Sequence, residues 1–217
     1  IYSEEFSSKL FDALCSSTFC ASFALGLAVA EWTVVRFEGF LDLREIRNRL
    51  EAAWVCAIEP AYVRELECDF TDDVDKATHR AEGAIEVLGV LLESMQSRFN
   101  KSNVNLPETV GRQILLAKHV LPPGTAFEHW LEQSLRNLAQ QFPRGPDRLV
   151  FDRAKEAVVP REFFEPGFRY SPAEAKRVLQ TFLDRVRPEE NPYLIPADQL
   201  RVSGFKGTPD RKSTRLN

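Results

Sequence analysis

The side chains with most chemistry to offer are carboxylates, and six of them fall within one short stretch: Glu65, Glu67, Asp69, Asp72, Asp73 and Asp75. Carboxylates at that density can chelate a divalent ion or present a negative patch to a basic partner. As a calcium loop the stretch fails, because the alternating ligand order, the central glycine and the terminal glutamate are missing. Carboxylates just ahead of a helix are stabilised by its positive end in any case, so a solvated helix start accounts for them without a ligand. If the stretch has a function, these six residues are candidates for contact with a protein partner.

The other reactive side chains form no pattern. His79, His119 and His129 lie far apart in sequence, outside H-E-x-x-H or any other ligand spacing. Cys15, Cys20, Cys56 and Cys68 include no C-x-x-C pair, so a zinc site built from all four lacks the close pairs such sites use. There is no G-x-S-x-G, no cysteine lies beside a histidine, and Gly83, Gly89 and Gly111 stand singly inside helical patterns. The expectation is no catalytic residue, no metal and no cofactor, with those glycines serving close helix packing. Triads assemble in space, so an enzyme whose carboxylates and histidines converge in a cleft is the second reading.

Composition narrows the partners. The formal charge of −4 and the scattered basic residues disfavour nucleic acid, since Arg44, Arg47 and Arg49 are offset by nearby glutamates. The apolar stretch from Phe19 to Val35 contains Ser22 and Glu31 and runs straight into Arg36 and Glu38. It is shorter than the roughly 20 apolar residues of a spanning helix and reads as a buried core helix. No membrane association is expected. Unpaired cysteines in apolar or helical surroundings point to reduced thiols and a cytoplasmic location.

The elements that must position these residues are helical almost throughout. Val74, Ala77, Ala81, Ile85, Leu88, Leu92, Met95 and Phe99 recur every three or four residues, which predicts one helix from Asp72 to about Phe99 capped by Thr71. Asp42 with Glu45 predicts a boxed start for the helix carrying Leu43, Ile46, Leu50, Ala53 and Ala57. Thr125 with Glu128 predicts another through Phe142. Ser171-Pro-Ala-Glu174 predicts a third, with Ala175, Val178, Phe182 and Val186 on one face and Pro188 as its stop. Further helices are expected at 4–15, 19–38, 60–67, 107–120 and 197–202. Leu149-Val-Phe151 and Ala157-Val-Val159 are the only strand-like runs, with nothing to pair with. Trp32, Trp54 and Trp130 fall within helical patterns and are expected in the core. The fold class is therefore all-α: an antiparallel helical bundle or short helical array.

Nine of the thirteen prolines lie from Pro143 onward, interleaved with Phe151, Phe163, Phe164, Phe168, Tyr170 and Tyr193. That composition predicts an irregular arm packed on the bundle. The expected organisation is a helical domain over 1–142 and a proline- and aromatic-rich arm over 143–209, with a helix near 172–187. The final eight residues, 210–217, read as the in-frame translation of a common sequencing adapter and are set apart as foreign. They carry Arg211, Lys212 and Arg215 against Asp210, so without them the formal charge is −6. With Ile1 in place of a start methionine, the chain reads as a fragment.

Residues 19–120 resemble a bacterial all-helical family of unknown function. The likeness lies in Phe23-Ala24, Ala30-Glu31, Phe37-Glu38, the run Asn48-Arg-Leu-Glu-Ala-Ala-Trp54, Ala84-Ile-Glu-Val-Leu88 and Leu91-Leu-Glu-Ser94. Some members of that family are regarded as immunity proteins encoded beside polymorphic toxins. The resemblance implies a small cytoplasmic protein and carries no functional residue onto this chain. Together with the acidic balance it makes a non-catalytic, immunity-type binding protein with a basic protein partner the leading expectation. The assembled-site enzyme stands second, and an accessory helical domain of a longer protein stands third.

Overall fold

The computed structural model describes residues 8–64, 79–145 and 155–202. Among these the fold is all-α. Eight α-helices follow one another: α1 (Ser8–Leu14), α2 (Phe19–Arg36), α3 (Arg44–Ile58), α4 (Arg80–Asn100), α5 (Leu106–Val120), α6 (Phe127–Gln141), α7 (Pro172–Arg185) and α8 (Ala197–Val202). Short 3-10 turns lie at Pro60–Tyr62 and Arg161–Phe164, and β pairing among the described residues is limited to two isolated bridges, Ser17 with Pro143 and Val63 with Leu194.

Helix α2 organises the rest. Its residues from Phe19 to Ala30 are apolar or small on every side, and all of them are buried. A helix that is hydrophobic all round must be surrounded, and α3, α4, α5, α6 and the Arg161–Phe164 turn all pack against this one. Among the described residues it is the one helix long and apolar enough to cross a membrane by length and composition, but here its surface is taken up by the other helices.

Close approach occurs at Gly26 rather than at Gly89, which the sequence singled out. A Cβ there would lie 2.6 Å from Met95 Sδ and 3.1 Å from Val110 Cγ2, so the missing side chain lets α4 and α5 close on α2. At Gly89 an added Cβ would make only ordinary contact, 3.8 Å from Ile46 Cδ1. One turn earlier on α2, Phe23 stacks on Phe99 at 4.1 Å.

Several predicted helix starts move. At α3, Leu43 occupies the cap position and Asp42 Oδ1 accepts from the Arg44 N–H at 3.0 Å, so the box with Glu45 does not form. Burial of Leu43 fixes that register, and Glu45 is engaged by Arg49 and Tyr193. Helix α6 starts at Phe127 after Ala126 without any side-chain cap, since Phe127 is held in the core. Helix α4 starts at Arg80: His79 is extended (φ −134°, ψ 148°), and its N–H donates to Glu82 Oε2 at 3.3 Å. Of the helix predicted from Asp72, the described part begins at Arg80, while residues 72–78 and the predicted cap Thr71 lie outside the described residues. Ser171 caps α7 as expected, accepting from the Glu174 N–H at 3.1 Å, while the Glu174 carboxylate turns to Arg177.

Over 60–64, the described part of the helix predicted at 60–67, one 3-10 turn forms at Pro60–Tyr62, and neighbouring backbone groups are claimed by the arm. The Arg64 N–H donates to the Tyr193 carbonyl and the Ile195 N–H to the Tyr62 carbonyl, each at 2.9 Å. Ala157–Val159 forms no strand: Val158 and Val159 are buried in irregular chain, whereas Leu149–Phe151 lies outside the described residues.

The chain past Phe142 stays in contact with the bundle. The Thr18 N–H donates to the Phe142 carbonyl at 2.9 Å, and the Arg144 N–H to the Ser16 carbonyl at 3.0 Å. The Phe142 ring meets Tyr170 at 4.8 Å and Phe163 at 5.4 Å. Thr18 Oγ1 caps α2 through the Ala21 N–H, and Glu156 Oε2, from the arm, accepts the Cys20 N–H at 2.7 Å. The arm thus places a carboxylate at the positive end of the central helix.

Two substitutions probe these joints. Gly26→Val should cost about 1–3 kcal/mol in urea unfolding through overpacking against Met95 and Val110; a neutral effect would mean the α2–α4–α5 junction is looser than described. Glu156→Gln should lose about 0.5–2 kcal/mol, the scale of a helix cap, with the loss shrinking in high salt.

Candidate binding cleft

On α2, Ala28, Glu31, Trp32 and Val35 stand three or four residues apart and so share one face. That face emerges where α6 and the Arg161–Phe164 turn approach, and together with Trp130, Arg161, Phe164 and Glu165 it encloses a cleft of about 310 Å³. Three aromatic rings line it. Trp32 and Trp130 lie 5.5 Å apart at 53°, and Trp130 and Phe164 lie 6.1 Å apart at 50°. Trp130 is fixed from both sides: its Nε1–H donates to the Phe164 carbonyl at 3.1 Å, and its ring stacks on Phe127 at 5.7 Å. Val35, at the mouth, is 62% exposed.

Glu31 is the polar centre of the cleft. Its Oε1 accepts from Trp54 Nε1–H and pairs with Arg161 Nε–H, both at 2.7 Å. Burial lifts its carboxyl above the ordinary carboxylate range; Arg161 and the Trp54 bond pull the other way, and nearby Glu165 adds to the rise. Trp54 is buried as expected and serves as a donor to this carboxylate. Trp32 and Trp130 are half-buried: they pack against the core as expected and also line the cleft.

A larger groove of about 420 Å³ runs past Glu38, Asp42, Arg44 and Arg47. Its charges are mutually paired, Arg44 with Asp42 and Arg47 with Glu38, and every one of these side chains is more than half exposed. Such pairs contribute little and anchor little. A second polar cluster joins the arm to α3 and α4. Arg49 pairs with Glu93 and with Glu45 and lies 5.2 Å from the Tyr193 ring, while Asn191 Nδ2 donates to the Asn48 carbonyl at 2.8 Å and to Glu51 Oε2 at 2.9 Å. The Tyr193 hydroxyl holds Glu45 below the ordinary carboxylate range. These groups are spent on one another, and the cluster acts as a clasp.

The six carboxylates singled out in sequence, Glu65, Glu67, Asp69, Asp72, Asp73 and Asp75, lie outside the described residues. His79, His119 and His129 are each exposed, and none lines either cleft. Among the described residues no three His, Cys, Asp or Glu side chains converge as a metal site. Cys15 is half-buried, Cys20 and Cys56 are buried, and Cys68 lies outside the described residues. The residues the sequence reading missed are Trp32, Trp130, Arg161, Phe164 and Glu165. The available signal was Glu31, a lone carboxylate inside an otherwise apolar helix.

Among the described residues the fold is all-α and carries an aromatic-lined cleft with Glu31 and Glu165 in its lining. No protein-family model, no curated protein and no solved structure matches the chain.

The Glu31 carboxyl gives a pH signature. Because its folded value lies above the ordinary 4.5, the folded protein holds this proton more tightly than the unfolded chain. The associated stability is fully present below that ordinary value and is lost as pH rises through the folded one. Thermal unfolding followed from about pH 4 to about pH 7 should therefore show the wild type losing stability relative to Glu31→Gln. A gap that stays constant, or widens in favour of the wild type, would mean that Glu31 is not desolvated.

Proposed function

We propose that this chain is a non-catalytic helical protein-binding protein whose partner is basic, and that an immunity-type inhibitor is its biological setting. The observation that carries the proposal is the cleft between α2, α6 and the Arg161–Phe164 turn. Fixed aromatic side chains beside a few polar groups are the composition of interface hot spots. The charge of the lining is two carboxylates, Glu31 and Glu165, against the single guanidinium of Arg161. The overall negative charge would steer a basic partner toward this face. The six carboxylates Glu65, Glu67, Asp69, Asp72, Asp73 and Asp75 are proposed as further contacts to a basic partner on the sequence alone. The immunity setting rests on the resemblance over residues 19–120.

One observation favours an enzyme instead: a raised carboxyl in a cleft is also how enzymes prepare a general acid. Against it, Glu31 Oε1 is committed to Trp54 and Arg161, and no histidine lines the cleft.

A photo-crosslinking residue placed at Val35 tests the proposal, with exposed Val104 in the α4–α5 turn as control. In the cells that make the protein, a single basic protein should crosslink from position 35 and not from position 104. Its yield should fall in the Trp130→Ala background, in a variant with the six Glu65–Asp75 carboxylates neutralised, and at an ionic strength of about 0.5 M. Equal crosslinking from both positions, or none from position 35, would contradict the reading. Unchanged yield in the neutralised variant would remove the acidic stretch from the partner surface.

A further inference from the structure

We infer that the cleft is a receptor for one arginine side chain presented by the protein partner. This rests on the partner-site reading above and specifies what the partner must bring. The nearest contacts to Glu31, from Trp54 Nε1–H and Arg161 Nε–H, both fall on Oε1, and no side-chain hydrogen bond from the described residues falls on Oε2. Oε2 is also not a sealed atom of the core, so it remains the acceptor this cleft offers. A half-buried carboxylate with one unused oxygen is best completed by a cationic N–H donor. The lining carries two carboxylates and one guanidinium, so a single incoming cation neutralises it.

The walls decide which cation. The rings of Trp32, Trp130 and Phe164 present π systems around the carboxylate, and cations are attracted to such faces. A guanidinium is planar, stacks on aromatic faces, and is more weakly hydrated than an ammonium, so it gives up water at smaller cost. Arg161 already shows the pairing on the protein's own side, with its Nε–H 2.7 Å from Glu31 Oε1 and its side chain still 54% exposed. Repulsion between that guanidinium and a second one is offset by Glu31 between them and by Glu165 at the rim. A volume of about 310 Å³ is at the small end for ligand pockets and suits a side-chain head group. Exposed Val35 at the mouth gives the aliphatic stem or the partner surface an apolar contact.

The test uses the full ¹⁵N-labelled chain and follows the indole N–H resonances of Trp32 and Trp130 as probes are added. The probes are an acetyl-Gly-Arg-Gly-amide peptide, its citrulline and lysine counterparts, and methylguanidinium alone. The arginine peptide should move both resonances and bind at least about tenfold more tightly than the citrulline peptide, which keeps the shape and removes the charge. It should also bind about threefold more tightly than the lysine peptide. Glu31→Gln should weaken it by about tenfold. Glu165→Gln, at an exposed position whose change leaves the packing intact, should weaken it by about threefold. Equal binding of the citrulline or lysine peptide overturns the assignment, and so does an affinity for methylguanidinium equal to that for the peptide, which would make the ligand a small molecule. Unmoved resonances with a positive crosslink at Val35 would discard the arginine and keep the partner site. Unmoved resonances with no crosslink would discard both.

Discussion

The constraint on which the structure depends is that α2 has no polar face. Twelve consecutive residues, Phe19 to Ala30, are buried, and any arrangement of the chain must wrap them. The few polar groups on this helix are satisfied without leaving the core: Ser22 Oγ donates to the Leu14 carbonyl at 3.1 Å, and Thr33 Oγ1 to the Val29 carbonyl at 3.5 Å. Glu31 has no such local solution. A carboxylate cannot be sealed in an apolar core without a partner, so the helix reaches the surface at this residue. The cleft is the place where the wrapping of α2 ends.

The arm has the same origin. It supplies Glu156 at the amino end of α2, Arg161 beside Glu31 near its carboxyl end, and Phe164 against Trp130. It then returns along α3 through Asn191 and Tyr193. One segment therefore caps the central helix, neutralises its one awkward charge and builds a wall of the cleft. The cleft depends on docking of the arm, because Arg161, Phe164 and Glu165 are part of its lining.

Much of this fold could be read in the sequence, because 3.6-residue periodicity reports which face is buried wherever a helix is long. The spacing of Leu88, Leu92, Met95 and Phe99 marked the inner face of α4, and Ser171 marked the start of α7. Helix ends elsewhere were legible only in part. Leu43 and Phe127 show why: packing of the first apolar side chain set the register and overrode the cap that local sequence offered. The turn at Pro60–Tyr62 depends on backbone bonds to Tyr193 and Ile195, more than 130 residues away in sequence, which no local pattern encodes. The cleft was hidden for the same reason. Glu31 and Trp32 could be seen as unusual within an apolar run, but nothing local ties them to Trp130 or to Arg161 and Phe164. Only the antiparallel return of the chain brings the three segments together.

The central claim is that α2 and the arm form one cooperative unit, with the cleft existing only when both are in place. Native-state amide hydrogen exchange tests it most directly. The Cys20 N–H is held by Glu156, the Ile195 N–H by the Tyr62 carbonyl, and the Leu25 and Leu27 amides lie within α2 itself. If the account is right, Cys20, Ile195 and the α2 interior open with the same free energy, that of global unfolding. If Cys20 and Ile195 exchange through a much easier opening while Leu25 and Leu27 stay protected, the arm is a separate and weakly attached element, and the cleft cannot be a standing feature of the fold.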